Sequence, residues 1–385
     1  MSAFGNPKIV DDGLVFMYDA NNKKSHPGEP TVNLVGSMTK KFSNWNGLTG
    51  TTEYYTTSNG GQGVKLRTTS SGGVQWYSNS TIYNIQANTQ YTISATVNYS
   101  GGTPHPNLLY IRQYDGNGQT SEGGRFTTAN QKNLGGGWKR IWRTFTTDST
   151  TTHINLQGYE YSAGRTIFIQ DLQFEQKDRN TRFAGPSTTR SATQGFKNRA
   201  RGTSIDVSNT SFDSNGQITF DGTDDYISID SVAPLIAGGD FSLEAMIKGS
   251  TQDHKSIISI NTAGGANRAL FMVRSASMGI YDGSTWYIGN IDVDDNNWHH
   301  VVLSYTHSTK NAVIYVDGEV SKDATTGNQI TVSSGDKVSI GMELDGSSVT
   351  DVFNGKIDVA KVYNKALTAA EVTRNFKARR SRFGI

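Results

Sequence analysis

Residues 217–229 read QITFDGTDDYISI. Ile218, Phe220, Tyr226, Ile227 and Ile229 fall on two short β-prone stretches divided by the turn formers Asp221-Gly222, which predicts two strands and a corner. Downstream, FSLEAMIK (241–248) alternates Phe241, Leu243, Ala245 and Ile247 with Ser242, Glu244, Met246 and Lys248, the period of a strand with one apolar and one mostly polar face. WHHVVLSY (298–305) and AVIYV (312–316) follow. The second ends in Asp317-Gly318, a dipeptide suited to a type I′ hairpin turn because both central residues need positive φ. In FNGKIDVAKVY (353–363), Ile357, Val359 and Lys361 alternate with Asp358, Ala360 and Val362. Thr368 and Glu371 then form a capping-box pattern that opens a C-terminal helix.

Composition agrees with this β-rich reading. Glycine is abundant at 42 and proline scarce at 7, which suits short strands joined by tight polar turns. The 385 residues imply more than one domain. With no cysteine, neither disulfides nor thiolate metal sites contribute, and stability must come from buried apolar area. The net charge of +2, with both signs interspersed, excludes a global field for nucleic acid. No run approaches the ~20 apolar residues of a membrane span, and the opening MSAFGNPKIVDDG lacks the order of a secretory signal; we expect no membrane insertion and synthesis in a cytoplasm.

Strand-like segments also fill the middle of the chain: GVKLRT, VQWYS, QYTISATVNY, NLLYIRQY, WKRIWRTFT, THINLQGY and RTIFIQDLQFEQ. Gly, Ser, Asn or Pro clusters separate them at the spacing of a β-sandwich. The expected fold class is therefore all-β, with two antiparallel β-sandwiches (jelly rolls) and one short C-terminal helix.

The ordered set FDGTDDYI, FSLEAMIK, WHHVVLSY, AVIYVDGEV and NGKIDVAKVYNKALTAAEV resembles the laminin G-like, concanavalin A-type sandwiches of many bacterial and phage surface proteins. Gly13 to Ala20 (GLVFMYDA) resembles the strand that such sandwiches place directly ahead of their FDGT motif. The resemblance implies a discontinuous domain, 1–32 plus 192–385, interrupted by an insert over 33–191. The alternative is that Gly13 to Ala20 belongs to the insert. Within the insert, NLVGSMTKKFSNWN, QANTQYTISATV, GGGWKRIWRTFTT and IQDLQFEQKDRNTRFAGPSTTRS resemble a carbohydrate-binding-module-like jelly roll. The ending FKARRSRFGI resembles those of laminin G-like structural proteins of large tailed phages, although a basic helix end also suits the macrodipole.

Catalytic patterns are missing from the sequence: no E-x-D-x-x-E string supplies paired carboxylates on one strand, and zinc, P-loop and nucleophile-elbow motifs do not occur. His299 and His300 are adjacent, so on a strand their rings point to opposite faces and cannot share a metal; we expect one to pack near Trp298. Asp224 and Asp225, with Asp292, Asp294 and Asp295, read first as turn formers. The alternative is a calcium ion held by these oxygens, and otherwise no cofactor is expected. Saccharide binding would draw on Trp45, Trp76, Tyr77, Tyr110, Tyr114, Tyr159, Tyr281, Trp286 and Tyr287, because aromatic faces stack on sugar rings. Adjacent pairs such as Trp76-Tyr77 and Tyr54-Tyr55 must send one ring to each face of a strand.

These resemblances imply a non-enzymatic virion structural protein of a tailed bacteriophage, exposed as a fibre, decoration, neck or tail component. It would be assembled in the host cytoplasm, contact other virion proteins and a host-surface glycan, and form a homo-oligomer. A bacterial surface or secreted lectin is the alternative, and a polysaccharide depolymerase the weaker one.

Overall fold

The computed structural model describes residues 8–385 apart from 21, 23–24, 27, 36–41, 44–50, 58–61, 70–73, 79–81, 84, 100–106, 126–129, 186–188, 194–195, 214–216 and 251. The chain divides into two compact units, one of Met1–Glu29 with Ala192–Ile385 and one of Pro30–Ser191. In chain order, the first unit contributes β1 (Leu14–Asp19). The second unit's principal strands are β2 (Thr51–Thr56), β3 (Gln62–Arg67), β4 (Val74–Ser78), β5 (Gln90–Tyr99), β6 (Tyr110–Tyr114) and β7 (Gln119–Arg125), then β8 (Gln131–Gly135), β9 (Trp138–Thr146), β10 (His153–Glu160) and β11 (Thr166–Glu175). Back in the first unit come β12 (Ile218–Asp221), the single-turn helix α1 (Ala233–Ile236), β13 (Phe241–Ser250), β14 (Lys255–Asn261), β15 (Asn267–Arg274), β16 (Ser277–Tyr281) and β17 (Trp286–Asp292). The last elements are β18 (Asp295–Thr306), β19 (Asn311–Val316), β20 (Glu319–Thr325), β21 (Lys337–Ile340), β22 (Glu343–Asp345), β23 (Ser348–Thr350), β24 (Asn354–Tyr363) and helix α2 (Ala369–Phe383).

Both units are antiparallel sandwiches. In the first, one sheet runs β12-β24-β13-β18-β19-β20 and the other β21-β14-β15-β16-β17. Between them lie Phe220, Phe241, Leu243, Phe271, Tyr305, Ile314, Ile340 and Ile357, all buried. In the second, β7-β6-β10-β4 faces β8-β9-β5-β11-β3-β2 across Val64, Ile93, Val97, Ile111, Leu156, Ile169 and Phe174. The all-β, jelly-roll fold class expected from the sequence is the one observed.

β24 organises the first unit. One of its edges pairs with β13 along nearly its whole length. Its other edge is shared: β12 takes Asn354 and Gly355, and β1 takes Val359 to Tyr363. Phe16 and Tyr18 of β1 thereby enter the core. The simple alternation read from FNGKIDVAKVY does not hold, because the register with β13 passes from Ile247↔Ile357 to Met246↔Val359 and skips Asp358. This bulge exchanges the faces of the strand beyond it. Ile357, Ala360 and Val362 point to the core, whereas Lys361 points out.

The polar face of β13 is not solvated either. Helix α2, capped by the Thr368–Glu371 box and closed by left-handed Gly384, covers it. Glu244, His300 and Lys361 are buried there; Glu244 accepts from Lys361 Nζ at 2.5 Å, contacts His300 Nε2 at 3.0 Å and accepts from Asn375 Nδ2 at 2.7 Å. His299 and His300 do face opposite ways, but His300 packs against Phe376 and Trp298 against Phe383, both rings supplied by α2. Much of the helix's basic charge is likewise spent internally. Arg379 and Arg382 pair with buried Asp19 of β1 at 2.9 and 2.8 Å, and Arg382 also reaches Asp358 at 2.8 Å.

Burial alone would raise the Glu244 carboxyl, but Lys361 and His300 hold it well below the usual carboxylate range. Replacing Lys361 by Met leaves that charge buried without its cation. The expected cost is about 3–5 kcal/mol, read from urea unfolding midpoints; a variant as stable as the parent would show that the pair is dispensable.

Candidate functional site

The outer face of the second sheet of the first unit is set by register. Tyr281 of β16 pairs with Trp286 of β17, and Gly279 pairs with Ile288, so these four share one face, while Ile280 and Tyr287 share the other. Trp286 lies across Gly279: a Cβ added there would sit 3.4 Å from the indole Cε3. The Tyr281 ring is 5.1 Å away and tilted by 35°, and the Arg274 guanidinium lies 5.7 Å from the indole centroid. Asp253 accepts twice from Arg274 Nη1 at 3.2 Å, and the His254 ring meets Trp286 edge-on at 6.4 Å. The result is a half-exposed aromatic pair bordered by an ion pair, able to offer both a ring face and hydrogen-bonding groups. Tyr287, expected beside them, instead packs against the core and ties down a loop, its hydroxyl accepting from Gly327 N at 2.6 Å.

In the second unit Tyr110, Tyr114 and Tyr159 also share a face, opposite core-facing Ile111 and Leu156. Tyr110 and Tyr159, however, are only 2% and 9% exposed, and their rings pack 5.5 Å apart. Tyr114 stacks on His153 at 5.1 Å. Tyr161, 53% exposed, stacks on Tyr159. Trp76 and Tyr77 lie on β4, with Tyr77 in register with Gln157, but their side chains fall outside the described residues, as does Trp45 entirely. The opposite sheet holds aromatic residues outside the sequence-derived candidates, Trp138 and Phe168, beside Tyr55. Aromatic type alone could not mark them; cross-strand register does.

The five aspartates do not converge. Asp224 and Asp225 join Asp221, their carboxylate oxygens within 4.8 Å of one another, but these oxygens already serve the turn. Asp221 accepts from the amides of Thr223 and Asp224, and Asp225 from Asp221 N and the Ser211 hydroxyl. Asp292, Asp294 and Asp295 occupy a different turn and accept from the amides of Asp294, Gln252 and Asn297. His299, clasped by Asp317 and Asp295, is raised in pKa because those hydrogen bonds outweigh its burial.

Sequence reasoning missed Glu343. It is 6% exposed, pairs in register with Thr350, and its Oε2 has no hydrogen-bond partner among the described residues. The Ser256 hydroxyl is likewise buried and unpartnered there, and Ser256 N donates to Asp351 O at 2.8 Å. Oxygens of this kind are the donors that a hard cation takes. Turn-like spacing hides them, since ELDGSSVTD reads as a plain hairpin.

Against known proteins, residues 221–373 match the family model described as the concanavalin A-like lectin/glucanases superfamily. No curated protein matches the chain. Among solved structures, the CBM40 of the Ruminococcus gnavus IT-sialidase bound to α2,3-sialyllactose is 18% identical, covering 40% of this chain and 92% of that one, with a TM-score of 0.35. A native heptameric SAP-like pentraxin from Limulus polyphemus is 19% identical over 40% and 78%, with a TM-score of 0.32. Domain 4 of AbnA, a GH43 extracellular arabinanase from Geobacillus stearothermophilus in complex with arabinotriose, is 17% identical over 45% and 81%, with a TM-score of 0.35.

Burial, followed by the charges of Asp351 and Asp345, pushes the Glu343 carboxyl up to about 7. The folded protein keeps this proton from the ordinary carboxylate range up to about 7, whereas the unfolded chain has released it. Stability should therefore fall as pH rises through that window. Glu343→Gln should flatten the fall, seen as a smaller difference between unfolding midpoints at about pH 5 and about pH 8; an unchanged difference would remove Glu343 as its source.

Proposed function

We propose that this chain is a non-catalytic carbohydrate-binding protein whose first unit engages saccharide through Trp286 and Tyr281. The observation that carries the reading is the indole laid over Gly279 on an outward sheet face, beside the Arg274–Asp253 pair. A pyranose ring presents an apolar C–H face and an equatorial belt of hydroxyls, which such a mixture of ring and charge complements. The concanavalin A-like lectin family match over 221–373 supports the same reading.

Binding rather than hydrolysis fits the disposition of the carboxylates. Glu244, centrally placed on β13, is shut beneath α2 and held by Lys361 and Asn375, out of reach of a polymer. Asp253 is committed to Arg274 and to the amide of Ser275. The setting we infer is an exposed component of a tailed-phage virion, contacting other virion proteins and a host glycan as a homo-oligomer. It rests on the motif resemblances of the sequence, and a bacterial surface lectin would use the same face. Gold-labelled antibody on intact particles separates the two.

Trp286→Ala should weaken retention of the protein in polysaccharide-containing native gels by roughly tenfold, the loss of about one good stacking contact. Incubation with the same polysaccharides should release no reducing ends. Unaltered retention would refute the assigned face, and steady release of reducing sugar would refute the non-catalytic reading.

A further inference from the structure

The sheet β8-β9-β5-β11-β3-β2 of the second unit carries its own row of rings on the side away from the core. Trp138 pairs in register with Asn98, Asn98 with Phe168, and Phe168 with Lys65; Tyr55 pairs with Gly63, and Gly63 with Gln170. All of these point away from Ile141, Val97, Ile169 and Val64, which are fully buried in the core. The Trp138 and Phe168 centroids are 6.3 Å apart, and those of Phe168 and Tyr55 5.6 Å. Each of the three side chains is half-buried, leaving part of each ring open.

Their arrangement is specific. Tyr55 lies flat on the sheet because Gly63 beneath it has no side chain: an added Cβ would come within 2.3 Å of the phenol ring. Phe168 stands at 85° to Tyr55. Floor and wall together make a right-angled niche, and Trp138, turned 53° from Phe168, extends it across the strands. Hydrogen-bonding groups are interleaved with the rings. The Tyr55 hydroxyl donates to Gln170 Oε1 at 3.1 Å, and Asn98 Nδ2 donates to Gly136 O at 3.1 Å, each amide keeping further capacity for a ligand. Lys65, 5.8 Å from the Phe168 centroid, is paired with Glu53 at 3.1 Å, and Arg67 on the same face reaches that carboxylate at 4.0 Å.

We propose that this face is a second saccharide site, taking a glycan chain across the strands with its ring faces against Tyr55, Phe168 and Trp138. The proposal rests on the reading of the chain as a carbohydrate-binding protein and extends it to a unit outside the family match. Rings with amides between them fit the alternating C–H and hydroxyl surfaces of a sugar chain, whereas a lipid or an apolar protein surface would leave the remaining hydrogen-bonding capacity of Gln170 and Asn98 unmet.

Native gels containing xylan, mannan, laminarin or dextran test this with the full chain and with Trp286→Ala, Phe168→Ala, Tyr55→Ala and Gly63→Ala, each checked for folding by circular dichroism and unfolding midpoint. Retention that survives in Trp286→Ala should fall by roughly tenfold when Phe168→Ala or Tyr55→Ala is added to it. Gly63→Ala should act in the same direction, because it lifts the Tyr55 ring without deleting it. Retention abolished by Trp286→Ala and untouched by Phe168→Ala, Tyr55→Ala and Gly63→Ala overturns this site and leaves the first intact. No retention of the parent protein in any gel overturns both. A parent oligomer that dissociates in folded Phe168→Ala assigns the face to a second copy of the chain and also overturns the proposal.

Discussion

The ion pair between Glu244 and Lys361 governs the architecture of the first unit. Both groups are withdrawn from water, at a desolvation cost of several kcal/mol each, so the arrangement holds only while the remaining positions on the carboxylate are served. That service comes from three directions: His300 on the neighbouring β18, and Asn375 and the Tyr363 hydroxyl at the seam with α2. Asn375 then accepts from Val10 N, at the start of the chain, at 2.7 Å. A helix displaced by one turn would take Asn375 from Glu244 and both arginines from buried Asp19, so the docking of α2 is tied to the charges beneath it.

A second constraint recurs in both units. A ring can lie flat on a sheet only where the residue beneath it lacks a side chain, because ordinary cross-strand neighbours fill that space. Trp286 over Gly279 and Tyr55 over Gly63 meet this condition. Tyr110 and Tyr159 do not: they pack against each other and are almost fully buried, so their rings add to packing instead of presenting a face. At Gly63 the glycine is as much a part of the platform as the aromatic residue, because an added Cβ would run into the ring, whereas one at Gly279 would only touch the indole.

Much of the fold was legible because it is written locally. Alternation over Phe241–Lys248, both positive-φ residues of the Asp317-Gly318 turn and the Thr368–Glu371 capping box depend on neighbours in sequence. What escaped was non-local. The bulge at Asp358 reverses the faces of β24 through pairing with a strand more than a hundred residues away, and the polar face of β13 is buried by a helix from the end of the chain. The candidate site was half legible for the same reason: Tyr281 and Trp286 flank one turn, whereas Trp138, Phe168 and Tyr55 meet only once five strands are in register. Tyr287, adjacent to Trp286, shows the limit of residue type as a guide, since strand parity sends it inward.

Sequence separation also shapes how the first unit closes. β1 pairs with β24 across more than three hundred residues, a loop that would be entropically expensive if it were open chain, although the cost rises only with the logarithm of length. The intervening segment shortens that loop by folding on itself. Its ends are drawn together where Thr31–Val32 pairs with Thr189–Arg190. Buried Glu175 fastens this junction, accepting from the hydroxyls of Thr31 and Thr181, each at 2.6 Å. With those ends joined, the effective separation between β1 and β24 falls by almost half. Asp19 on β1 is then held in place by Arg379 and Arg382 of α2.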